Sequence, residues 1–198
     1  GLYIYTLNNG DYVESDLPAP FVIAASGQSN MMGRGNNGTL LINNAVRVWD
    51  KDLNGGSFKV SDLTQSTQTS GSSFGGTLVG GNVRNNWAVA LCHKIQKETN
   101  RPVYLILDGK TATPISEWVG AGIASARFAG WNTAVDDGLA NLGLSKVDLV
   151  LWHQGENDSA RTADDYLIDL QTLKTQIRNE SWADVHVPFI CANMLVAS

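Results

Sequence analysis

The chain carries little charge. Of its 198 residues 17% are Asp, Glu, Lys or Arg, the formal balance is −5, and Lys and Arg nowhere cluster. Binding to nucleic acid or to an anionic membrane needs concentrated positive charge, so neither partner is expected. Cysteine is almost absent: Cys92 and Cys191 each lie in an apolar segment, which suits buried free thiols better than a disulfide or a metal site. No apolar run approaches the length of a membrane span, and no basic n-region of a signal peptide opens the chain. There is no initiator Met, and Pro18 and Pro20 resemble a linker; residues 1–20 read as a linker or the edge of a preceding region, and 21–198 as one domain. With 43% hydrophobic residues, the chain is too apolar for disorder. It is long enough to bury roughly 70% of its unfolded surface.

What is present is an alternation of strands and helices. Phe21-Val-Ile-Ala-Ala-Ser26 reads as a buried parallel strand, followed by the apolar pieces Ala45–Trp49, Val103–Leu107, Val147–Trp152 and Val187–Leu195. Helical spacing runs through Asn86–Glu98, Ile123–Leu142 and Ala163–Arg178; in the last, Tyr166, Leu167, Leu170, Leu173, Lys174 and Ile177 share a face. Such alternation predicts a five-stranded, mostly parallel sheet covered on both sides. Residues 54–86, rich in Gly, Ser, Thr, Asn and Gln, interrupt the pattern as one wall of a site or a solvated insertion.

Three predicted strands empty into polar loops at what should be one sheet edge, where open α/β sheets bind ligands. The first gives Gly27-Gln28-Ser29-Asn30-Met31, the second Asp108-Gly-Lys-Thr-Ala112-Thr113-Pro-Ile115-Ser-Glu-Trp118, the third His153-Gln154-Gly155-Glu156-Asn157-Asp158. Ser29, in the first turn after its strand and near a helix N-terminus, is a candidate nucleophile. Ser26, Ser29 and Asn30 also suit helix capping, and that segment alone slightly favours the cap. Gln154 carries an amide able to donate to a developing oxyanion, and Asp158 or Ser159 suits the cap of the following helix. A serine, a loop with free amides and a glutamine together form an acyl-transfer constellation, which tips Ser29 towards nucleophile.

Gly27-Gln28-Ser29-Asn30-Met31 with Gly33, then Ile115-Ser116-Glu117-Trp118, then Trp152-His153-Gln154-Gly155-Glu156-Asn157-Asp158 resemble the motifs of the SGNH/GDSL hydrolase superfamily, in its carbohydrate acetylesterase branch related to sialate O-acetylesterase. The resemblance implies a flavodoxin-like three-layer α/β/α sandwich. It implies Ser29 as nucleophile and backbone oxyanion donor, Gln154 as side-chain oxyanion donor, and Ala112 near the position of a family glycine that donates its N–H. Gln28, Asn30, Thr113 and Glu156, in the same loops, are expected to bind substrate. No cofactor or metal is implied.

The family's base and orienting carboxylate come from an Asp-x-x-His motif near its C-terminal end, and none of the three histidines here fits. His93 lies on a largely apolar helix, and His153 should face away from the site if Gln154 faces it. His186 precedes the last strand, at the wrong edge, with Asp184 two residues away rather than three. The base and its Asp are therefore expected beyond Ser198, with the C-terminal part of the fold missing. A second chain is the next source in rank, and a non-catalytic domain the third.

The leading expectation is a serine esterase that removes O-acetyl groups from a polysaccharide or sialic-acid-like sugar, with an acetylated glycan as partner. The alternative is a carbohydrate-binding or structural module on the same fold, in which Trp49, Trp87, Trp118 or Trp131 stacks on sugars. The linker-like start and Gly/Ser/Thr/Asn-rich middle are similar to phage tail-spike esterase domains and to secreted bacterial esterases, an extracellular or virion setting. A homo-oligomer is left open.

Overall fold

A computed structural model describes residues 18–31, 42–50, 56–62, 87–120 and 123–192 of the chain. The expectations for residues 1–17, including most of the linker reading, lie outside them. So do Gly33 and most of the polar segment 54–86.

Six strands form one sheet in the order β3-β2-β4-β1-β5-β6. They are β1 (Phe21–Gly27), β2 (Ile42–Asp50), β3 (Ser57–Asp62), β4 (Val103–Gly109), β5 (Leu149–His153) and β6 (Phe189–Cys191), and the helices are α1 (Trp87–Thr99), α2 (Ile123–Leu142) and α3 (Ala163–Asn179). All pairings are parallel except β2 with β3. The expected five parallel strands and three helices are thus present, and an antiparallel edge strand joins them. That strand lies inside the segment read as irregular. Its alternation of Phe58 and Val60 with polar neighbours was the available signal. Phe58 holds it to the sheet, edge-on to Trp49 at 5.2 Å and to Tyr104 at 4.9 Å.

The middle strands bury both faces, as a sheet covered by helices must. Ile23, Ala25, Leu105 and Leu107 face Ala88, Val89 and Cys92 of α1, whereas Val22, Ala24, Ile106 and Val150 face α2 and α3. These are the three layers of an α/β/α sandwich. On α3 the predicted apolar face is narrower than its spacing suggested: Leu173 and Ile177 are buried, but Leu167 is 49% exposed. The chain leaves β1 for one side of the sheet, at β2, and leaves β4 for the other, at β5. Winding reverses at these strand ends, the place where α/β sheets form a crevice.

Candidate active site

Backbone bonds stitch the ends of β4, β1 and β5 together. Lys110 N donates to Gly27 O at 2.9 Å, and Gln28 N donates to His153 O at 3.0 Å. The chain then turns at once, with Met31 N donating to Gln28 O at 3.0 Å, so Ser29 and Asn30 occupy the middle of a β-turn. Gly27 makes the close approach possible. At its φ of +145°, a Cβ would stand 2.1 Å from the His153 carbonyl oxygen, which no side chain tolerates.

Ser29 is half-buried at this junction, and neither its Oγ nor its N–H has a hydrogen-bond partner among the described residues. A helix-capping serine would spend its hydroxyl on a backbone N–H. Ser26, the other capping candidate, lies within β1 and donates its hydroxyl to Asp108 O at 2.6 Å. The helix N-terminus expected just after Ser29 would fall among residues 32–41, outside the described set.

The block around Gln154 behaves differently from expectation. Gln154 is fully buried, and its Nε2 donates to Thr113 O at 2.9 Å, to Gln28 Oε1 at 3.2 Å and to the Asp158 carboxylate. The amide expected to donate to an oxyanion is bonded here to the neighbouring loops. Gln28 and Thr113 are 3% exposed, and Thr113 donates its hydroxyl to Lys110 O and accepts from Trp118 Nε1. Both were expected to bind substrate; in the structure both are enclosed and bonded internally. Asp158, not the expected cap, is buried as well, and Thr162 caps α3.

Asn30 is exposed and donates through Nδ2 to Glu156 Oε1, so these two expected substrate-binding residues do stand together beside Ser29. His153 adjoins them, its Nε2 lying 3.5 Å from Glu156 Oε1. Its Nδ1 lies 2.9 Å from Trp87 Nε1, an atom that can only donate, so the ring's own proton sits on Nε2. Both ring nitrogens are occupied away from Ser29. Burial holds the His153 pKa below its ordinary value, with Glu156 partly opposing. His186 precedes β6, at the sheet's opposite edge, and His93 lies within α1. None of the three makes a hydrogen bond with Ser29.

Ala112 adopts a backbone conformation that suits the glycine expected near its position. Its φ is +57°, the left-handed conformation that glycine adopts without strain. Its N–H has no acceptor among the described residues. Register pairs Gly27 with Gly109, so Ser29 and Ala112 follow neighbouring strand ends by two and three residues.

Of the tryptophans proposed to stack on sugars, Trp49, Trp118 and Trp131 are at most 4% exposed and belong to the core. Only Trp87 is half-exposed, with its edge committed to His153. Cys92 is buried and Cys191 half-buried, both free thiols pushed up in pKa by burial. Among the described residues no three His, Cys, Asp or Glu side chains gather to hold a metal ion, and no helix is long and apolar enough to cross a membrane.

Solved structures share this fold. A protein of Arabidopsis thaliana matches with a TM-score of 0.61 and 18% identity, over 88% of this chain and 73% of that one. NanS matches with a TM-score of 0.54 and 14% identity over 88% of this chain and 67% of its own. A carbohydrate acetylesterase from Xanthomonas citri gives 0.52 and 18% identity over 86% of this chain, which spans 41% of that protein. No curated protein matches the chain. The model of one family, carbohydrate esterase, sialic acid-specific acetylesterase, matches residues 21–197. With the motifs of the three strand ends inside that match, the chain belongs to this acetylesterase family.

Proposed function

We propose that the domain is a serine esterase that removes O-acetyl groups from a carbohydrate, a polysaccharide or a sialic-acid-like sugar. The observation that carries this reading is Ser29: held in a tight turn between two strand ends, with hydroxyl and N–H both unclaimed among the described residues. Ser29 Oγ bonds to the acetyl carbonyl carbon as its proton passes to a base. The bond from that carbon to the sugar oxygen then breaks, the sugar leaves with the proton, and water releases acetate from the acyl-enzyme. The N–H groups of Ser29 and Ala112 are the oxyanion donors. Gln154 joins them by releasing Gln28 Oε1, the longest of its three bonds. Asn30 and Glu156, exposed or half-exposed beside Ser29, supply polar contacts to the glycan.

In this reading the general base and its carboxylate come from residues C-terminal to Ser198 or from a second chain, since both ring nitrogens of His153 are engaged elsewhere. An extracellular or virion setting belongs to the same reading. The burial of three of the four candidate stacking tryptophans disfavours a sugar-binding module. The decisive test is hydrolysis of an aryl acetate by the full-length protein and its Ser29→Ala variant, with fluorophosphonate labelling alongside. The variant loses both turnover and label. A variant that hydrolyses as well as the parent rules the nucleophile out.

A further inference from the structure

Asp158 is a carboxylate with 1% of its side chain exposed, set behind the candidate site rather than in it. A buried carboxylate is costly unless its oxygens are hydrogen-bonded and its charge is matched. Here each oxygen has a task. Oδ2 accepts the Ile115 backbone N–H at 2.8 Å and the Gln154 amide; Oδ1 faces Arg161 Nη1 at 3.3 Å. The same Arg161 Nη1 also lies 2.8 Å from Asp169 Oδ2, and its Nη2 donates to Asp165 O at 3.2 Å.

The Ile115 contact crosses from the loop after β5 to the loop after β4, 43 residues away in the chain, while Gln154 and Arg161 lie within the loop of Asp158 itself. Ile115 opens the short helical turn after the Ala112 loop, Gln154 follows β5, and Arg161 leads into α3. The Gln154 Oε1 is buried with no donor among the described residues, so its side chain is held through Nε2 alone. Of the three acceptors there, only Asp158 is charged, and charge-assisted bonds are the strong ones.

From this arrangement we propose that Asp158 is a positioning residue: it locks the Ala112–Ile115 loop to Gln154 and so fixes the spacing of the donors that flank Ser29. The proposal deepens the esterase reading and rests on it for its catalytic consequence. Asn in its place cannot serve. With the amide oxygen towards Ile115 and Gln154, its NH₂ group meets Arg161; turned round, the NH₂ meets two other donors.

The test compares the full-length protein with Asp158→Asn by two readouts, steady-state kinetics on an aryl acetate and hydrogen exchange at the Ile115 amide. We expect kcat to fall on the order of a hundredfold, as loosened alignment does, with KM within about twofold. Exchange at Ile115 should quicken by roughly tenfold, the effect of about one lost hydrogen bond. Unchanged exchange overturns the lock, and faster exchange with unchanged kcat overturns the positioning role. If Asp158→Asn does not fold, Arg161→Met removes the counter-charge from the solvent side; a severalfold drop in kcat with quicker Ile115 exchange supports the proposal, and no change in either overturns it. A parent protein with no esterase activity refutes the esterase reading instead, and Ile115 exchange still decides the lock.

Discussion

Ser29 and Gln154 leave neighbouring strands at the same edge of the sheet. The first has neither hydroxyl nor N–H claimed by any described residue, whereas the second has its amide shared among three acceptors. Ser29 is half-exposed and Gln154 fully buried. The difference divides labour between the two loops. Reactivity needs a group whose hydrogen-bonding capacity is open towards solvent, while alignment needs groups bonded inside the protein. On the proposed reading, the loop after β1 provides the first, and the loop after β5, braced by Asp158 and by Tyr166 donating to the Gln154 carbonyl at 2.8 Å, provides the second.

Substitutions on the two sides should therefore fail differently. The largest effect falls on the open side: Ser29→Ala should lower aryl acetate turnover on the order of ten-thousandfold or more, while its melting temperature stays near the parent's. On the closed side, Gln154→Ala should lower kcat on the order of a hundredfold and, unlike Ser29→Ala, also lower the melting temperature, because it leaves Asp158 and Thr113 O short of a donor. Calorimetry on both variants separates the roles; equal melting temperatures would erase the contrast.

His153 lies between the two loops and gives a smaller, pH-dependent effect. Its pKa in the fold lies below the ordinary 6.5, so the unfolded chain binds the extra proton first. The contribution to stability is complete above pH 6.5 and is lost as pH falls through the lower, folded value. Thermal melts should show the parent losing stability below pH 6.5 more steeply than His153→Gln. Parallel curves would remove His153 as the source. The smallest effect belongs to Ala112→Gly. Relief of a left-handed alanine returns roughly 1–2 kcal/mol, and the entropy of glycine in the unfolded chain takes back about half. A rise of about 1–3 °C in melting temperature is expected, and a fall would show that the strain at φ +57° is not real.

The sequence made one side of this contrast far more legible than the other. Apolar runs ending in Gly and polar residues located the central strands and their shared edge, and Ser29 with them, because burial in a covered parallel sheet writes itself into consecutive residues. Strand β3 escaped because its two apolar residues, Phe58 and Val60, sit among Gly, Ser and Thr. The engagement of Gln154 escaped for another reason. Its acceptors lie 41 and 126 residues away at Thr113 and Gln28, and four away at Asp158 across a sharp turn at Gly155. A motif identifies a polar side chain but not which way it donates. Only the three-dimensional meeting of loops decides that, and it likewise shows that Gln28 and Thr113 are enclosed.

Three backbone bonds anchor the turn carrying Ser29, Gln28 N to His153 O, Lys110 N to Gly27 O and Met31 N to Gln28 O, and the side chains of Gln28 and Asn30 add bonds to Gln154 and Glu156. Peptide groups are the same in every residue but proline, so the backbone part of this anchorage is nearly indifferent to mutation, except at Gly27. Lineages can thus exchange most side chains around the turn without moving it. That tolerance fits solved structures that keep this fold at 14–18% identity to this chain. On the proposed esterase reading, it also marks the neighbouring loops as the place where descendants can acquire new substrate preferences at little cost to the reaction.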